Sequence, residues 1–188
     1  MADLVSLFQR AVEGFGRRVA VIRPEQWEDP TPDEEWDVRA LVNHVLAEAL
    51  WAPPLLAGLT LEEVGDRFEG DQLGDDPQGA WRKAAAEAVV AVSRPGVLDR
   101  TVHVSFGDIS GREYVSQLVT DHAVHAWDLA RAIGADERLD PDLVGFAYEF
   151  LAPQVDGWRE AGVFGPAVEL PAGADSQSTL LALTGRRP

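Results

Sequence analysis

The stretch Leu118–Gly134, LVTDHAVHAWDLARAIG, decides how the chain is read. Apolar residues recur three or four apart through Leu118, Val119, Ala126, Leu129 and Ile133, which is the period of a helix buried on one side. Gly134 is a stop signal, so the spacing predicts a helix from about Ser110 to Ile133. Two of the chain's four histidines fall here. On a helical wheel His122 lies at the centre of the apolar stripe, with Asp121 and His125 at its edge. A carboxylate in that position must be paired, hydrated or bound to a cation, because an isolated buried charge is too costly to keep.

Working outward, four more helices are expected. Leu4 to Ile22 repeats Leu4, Leu7, Phe8, Ala11, Phe15 and Val19 at helical spacing, with Asp3 as N-cap and an end before Pro24. After the polar, proline-punctuated loop EDPTPDEEWD, Asp37 caps a second helix through VRALVNHVLAEALWA, which Pro53 and Pro54 stop or kink. An acidic connection follows over Gly65–Asp76, preceded by a short helix near Leu61–Val64. DPQGAWRKAAAEAVVAVSRPG reads as a third helix closed by Pro-Gly, and RTVHVSFGD as a short extended segment. Beyond Gly134 another helix starts near Pro141 and carries Leu143, Val144, Phe146, Ala147, Phe150 and Leu151. The tail ends in a helical turn over Asp175–Leu183. No internal repeat is present, and the pattern predicts an all-α fold, a bundle of antiparallel helices with short extra helical or extended segments.

At 188 residues, 46% of them hydrophobic, the chain is expected to form a single domain, with a helical bundle over 1–160 and an extension over 161–188 packed on it. No run of eighteen apolar residues occurs and the N-terminal stretch does not resemble a secretory signal, which points to a soluble cytoplasmic protein. A net charge of −16 opposes binding to nucleic acid or to anionic membranes. With no cysteine, any thiol chemistry needs an external thiol. Gly-rich phosphate loops, a nucleophile elbow and a Ser-His-Asp signature are all absent from the sequence. An apolar helical surface leaves a homodimer open.

Asp121 and His125, four apart, project from one side of their helix. His44 occupies a similar border on the second helix, one turn from Leu41 and from Glu48. If the two helices face each other, His44, Asp121 and His125 offer three N/O ligands to a divalent transition metal with open positions. The alternatives are an ordinary helix pair and, for His44, a bond to a neighbouring carboxylate. His122 reads as a hydrogen-bonded core residue, with a ligand role as the second choice. Glu48 and Asp128 are placed to orient a ligand histidine, or else to be solvated or paired with Arg39 or Arg131. His103 is expected to face solvent, and Trp36, Trp51, Trp81 and Trp127 to anchor the core.

Three stretches, WEDPTPDEEWDVRALVNHVLAE, LVTDHAVHAWDLARAIG and FGPAVELPAGADSQSTLLALTGRRP, resemble the DinB-like and mycothiol-dependent maleylpyruvate isomerase superfamily of metal-binding bundles, closest to its branch of short metal-binding proteins. The resemblance implies a DinB-like four-helix bundle with a divalent ion, zinc or nickel, on His44, Asp121 and His125. It also implies a low-molecular-weight thiol such as mycothiol as cosubstrate, and transferase or isomerase chemistry on a small electrophile. The chain departs from the pattern in two places: it is too short for the further C-terminal domain of the isomerase, and Asp33 stands where many relatives carry cysteine. Two other functions stay open, a metal-dependent hydrolase with Glu48 as base and a non-catalytic bundle with a structural or sensory metal.

Overall fold

The computed structural model describes residues 3–33 and 36–188. Its helices are α1 (Leu4–Val19), α2 (Val38–Leu56), α3 (Leu61–Val64), α4 (Pro77–Val92), α5 (Gly111–Ile133), α6 (Pro141–Leu151), α7 (Val155–Glu160) and α8 (Ser176–Leu183). A hairpin of β1 (Thr101–Val104) and β2 (Gly107–Ser110) precedes α5. Glu34 and Glu35, in the proline-punctuated loop, lie outside the described residues.

Local chemistry sets most helix starts. Asp3, Asp37, Asp76, Ser110, Asp140 and Asp175 each accept a hydrogen bond from a backbone N–H in the first turn of the helix that comes after. Pro77 and Pro141 add a preset φ at the first helical position, where their missing N–H costs nothing. At the far end of α5, Gly134 takes the left-handed conformation (φ 68°) that ends the helix.

Two ends differ from expectation. Helix α1 stops at Val19, after which Val21 and Ile22 donate to Arg18 and Val19 in a tightened turn; Arg23 is extended because Pro24 disfavours helical backbone before it. Helix α2 runs through Pro53 and Pro54 to Leu56. The prolines remove two donors only from its last turns, while Ala52, Leu55 and Leu56 are buried by staying helical. Helix α7 lies in a stretch where a single turn of apolar residues gives no periodic signal, and β2, GDIS, lacks the alternation that would mark a strand.

Helix α1 packs on α5 and α4, and α2 packs on α4 and α5. The four form a closed ring, a DinB-like four-helix bundle, in which α1 and α2 occupy opposite corners. Phe8, Phe15, Leu41, Val45, Val119 and Leu129 fill the centre. A smaller apolar cluster joins α6 to α8 through Val144, Ala147, Leu151 and Leu180. Polar ties close the α5 end of the bundle. The buried Arg18 guanidinium donates to the Asp136 and Arg138 carbonyls at 2.8 and 2.9 Å, and the Gln26 amide donates to the Ile133 carbonyl at 2.9 Å. The adjacency of α2 and α5 is what brings the polar residues of these two helices within reach of each other.

Candidate metal centre

Because α2 and α5 are neighbours in the ring, His44 meets the Asp121–His125 pair. The Nε2 atoms of His44 and His125 each lie 3.4 Å from Asp121 Oδ1. One donor atom from each residue falls within 4.8 Å of the other two. At 3.4 Å these contacts are long for charge-assisted hydrogen bonds. Donors held about 2.1 Å from one tetrahedral ion, by contrast, lie about 3.4 Å apart.

The surrounding groups set the protonation. Asp128, fully buried one turn after His125, lies 3.0 Å from its Nδ1. The Asp128 carboxylate accepts only, so Nδ1 carries the hydrogen and Nε2 is turned on Asp121. Asp128 is held in turn by Arg186, whose Nη2 and Nε donate to it at 2.9 and 3.2 Å. With no cation present, the Nε2 lone pair would oppose a carboxylate. Burial works against a charge on His125, but the charge and hydrogen bond of Asp121, reinforced by Asp128, raise its pKa to about 9. His44 is raised the same way, as Asp121 outweighs burial. Burial would lift Asp121, yet the two histidines hold it well below the carboxylate range. Its Oδ2 is buried without a hydrogen-bond partner. Two imidazole nitrogens, one ionised carboxylate and an orphaned buried oxygen form a donor set that fits a divalent ion.

The three residues sit on the wall of a cavity of about 380 Å³, the size of a small-molecule site. Glu48, one turn beyond His44, shares this wall, and burial together with the charge of Asp121 raises its pKa to about 7. The Trp36 ring lies 4.7 Å from that of His44 and 5.6 Å from that of His125, centroid to centroid. Trp36, expected in the core, does touch it, but it also walls the cavity. Trp81 and Trp127 are buried as expected, and Trp51 is partly so. Phe150 of α6, Trp158 of α7 and Phe164 form an apolar part of the lining.

His122 is not with this group. Fully buried against Phe8, Phe15 and Trp81, it donates from Nδ1 to the Leu118 carbonyl at 2.8 Å, and burial lowers its pKa to about 4. His103 lies on the hairpin, 2.7 Å from Asp108. Arg39 and Arg131 pair with Asp71 and Glu137, so neither neutralises Asp128 or Glu48. Arg186 does so for Asp128, and also lies 3.9 Å from Asp33. Sequence reasoning missed Arg186, which nothing local connects to α5. It also missed Tyr114, for which a signal existed: seven residues before Asp121, it shares that face of the helix.

A partly buried polar cluster on the wall of a cavity lined by α2, α5, α6 and α7 marks a helical-bundle protein with a cavity of small-molecule size. The chain belongs to the mycothiol maleylpyruvate isomerase N-terminal domain family, whose model matches residues 8–130, and with it to the DinB-like superfamily. It is 30% identical over 163 residues to two uncharacterized Mycobacterium tuberculosis proteins, Rv0738 of strain H37Rv and MT0763 of strain CDC 1551; the match covers 82% of this chain and 83% of each relative. Crystal structures of the mycothiol-dependent maleylpyruvate isomerase and of a mutant of it superpose with a TM-score of 0.65 at 16% identity, over 87% of this chain and 72% of theirs. That likeness establishes the shared fold. No helix among the described residues is long and apolar enough to cross a membrane.

Proposed function

We propose that this protein holds a divalent ion, zinc or nickel, on His44, Asp121 and His125, and carries out thiol-dependent transfer or isomerisation of a small electrophile in the cytoplasm. The observation that carries the reading is the convergence of both Nε2 atoms on one Asp121 oxygen at the wall of a cavity, in a chain without cysteine. Membership of a family named for a mycothiol-dependent isomerase supports a low-molecular-weight thiol of that type as cosubstrate.

When bound, the ion supplies an open Lewis-acidic position that lowers the pKa of an incoming thiol. The protein's own residues do the rest. Asp128 fixes the His125 tautomer, and Arg186 keeps Asp128 ionised and in place. Glu48, on the same wall, takes the thiol proton on its carboxylate and hands it to the leaving group in transfer or back to the departing thiolate in isomerisation. The sulfur lone pair forms a bond to an electrophilic carbon. In transfer a leaving group departs with its electron pair; in isomerisation the π pair of a conjugated double bond shifts onto the attached carbonyl, the bond rotates while single, and the pair returns to re-form it as the thiolate leaves.

Glu48 beside an open metal position also supports a second reading, hydrolysis, in which it takes a proton from water. Elemental analysis of untagged protein prepared without chelator tests the first step. One equivalent of zinc or nickel is expected in the parent and none in His44→Ala or His125→Ala; no metal even after reconstitution overturns the reading. Turnover of electrophiles that requires thiol supports transfer or isomerisation, whereas turnover without thiol moves the assignment to a hydrolase. A bound metal that raises the melting temperature but accepts no exogenous ligand marks a structural site.

A further inference from the structure

Tyr114 is one of three polar groups on the cavity wall that the metal reading leaves unused, with Gln117 and Thr120, and the one whose buried polar atom has no hydrogen-bond partner. It stands two turns before Asp121 on the same face of α5, is 4% exposed, and its hydroxyl has no hydrogen-bond partner. An unsatisfied buried hydroxyl is costly to keep, and an orphan of that kind calls for a use. Burial, with the charges of Glu48 and Asp121, holds its pKa well above the usual phenol range, so the group remains an O–H donor.

The rest of the lining says what that donor meets. Phe150, Trp158 and Phe164 give the cavity an apolar wall. Asp33, Glu48 and Asp121 bring carboxyl groups to the polar side, Gln117 adds a neutral amide, the Thr120 hydroxyl is spent on the Ser116 carbonyl, and Arg186, the one Lys or Arg lining the cavity among the described residues, is spent on Asp128. A ligand carboxylate would meet no free protein cation there. A neutral molecule would lose nothing to those charges, and its apolar body would gain the aromatic wall.

We propose that the Tyr114 hydroxyl donates a hydrogen bond to an uncharged acceptor oxygen, of the carbonyl kind, on a substrate whose aromatic or alicyclic body lies against Phe150, Trp158 and Phe164. This rests on reading the cavity as the reaction site, and it names the substrate class that site takes. Tyr114 is then a binding and orienting residue, which turns the electrophile's polar end toward the α5 face that carries Asp121 and His125.

Two probes of matched shape isolate the hydrogen bond: α-tetralone carries the carbonyl, and tetralin has a methylene in its place. Their affinities are measured by ligand-observed NMR titration against the parent and Tyr114→Phe, with each protein both as purified and stripped by chelator. The ketone is expected to bind the parent more tightly than the hydrocarbon. Tyr114→Phe should weaken the ketone roughly tenfold and leave tetralin unchanged. The ligand-free variant should melt no lower than the parent, since it loses a hydroxyl that had no partner. Equal weakening of both probes, no weakening of either, or no binding of either probe overturns the proposal. A clear fall in melting temperature does so too, because it would mean that the hydroxyl is already paired within the fold. The stripped arm keeps the two readings apart: a ketone preference there stands even if elemental analysis finds no metal, and its loss leaves a measured metal content intact.

Discussion

At the scale of single residues, neighbours one helical turn apart have opposite proton affinities. His122 and His125 share a helix, yet burial among Phe8, Phe15 and Trp81 drives one down to about 4, while Asp121 and Asp128 lift the other to about 9. The consequence for stability depends on which state binds more protons. His125, raised from 6.5 to about 9, stabilises the fold fully below 6.5 and loses that contribution as pH climbs through 9. Glu48, raised from 4.5 to about 7, acts in the same direction and is lost through 7. His122, lowered from 6.5 to about 4, acts oppositely: its contribution is present above 6.5 and lost as pH falls through 4. Below 6.5 the two trends oppose each other, but between 6.5 and 9 only losses remain. Urea titrations of chelator-stripped protein should therefore show stability falling across that interval by up to about 3 kcal/mol, since each tenfold change in proton affinity is worth about 1.4 kcal/mol. Saturating zinc should flatten the fall, because a ligated imidazole no longer holds the extra proton. An alkaline limb of the same slope with and without zinc would argue against the ligand assignment.

At the scale of elements, legibility in the sequence tracks how local the cause is. The Asp121–His125 pair comes from a four-residue step on one helix, and the N-caps at Asp3 and Asp37 from single side chains beside their own helices. The meeting of His44 with that pair depends on which corner of the ring α2 occupies, and spacing within α2 carries no such information. The sequence supports it only conditionally, and through resemblance. Arg186 is illegible because its partner is 58 residues away, and Trp36 because a loop has no periodicity to say which way its ring turns. The hairpin hides another such contact. A Cβ on Gly111, the first residue of α5, would lie 2.1 Å from the Val97 carbonyl oxygen, so only glycine lets the helix start against that turn. Gly111→Ala should cost about 1–3 kcal/mol despite the better helix propensity of alanine. Gly145→Ala, in α6 with nothing within 4 Å of its added methyl, should instead gain about 0.5–1 kcal/mol. Chemical denaturation of the two variants checks the pair, and equal effects would refute the backbone contact.

At the scale of the whole molecule, 32 acidic against 16 basic residues make the folded chain repel itself. Several of the ion pairs that bind element to element are at least partly exposed, such as Arg10 with Asp140 and Asp142, and each is worth little on its own. Screening should therefore relieve more repulsion than it removes attraction. Raising sodium chloride from low to near-physiological concentration is expected to lift the melting temperature by a few degrees; a fall would show that attractive pairs dominate instead. The same acidity surrounds the cavity, where a cation and a neutral substrate are the two ligands that the surrounding field does not oppose.

The tie between Arg186 and Asp128 also orders events in time. A ribosome delivers His44, Asp121 and His125 well before Arg186, so the ring of helices can close while Asp128 is still a buried carboxylate with no guanidinium beside it. His125 is braced through Asp128 only once the tail beyond α8 has folded back against α5. Synthesis thus separates making the bundle from finishing its centre, and the bracing of His125 through Asp128 comes as a late step of maturation.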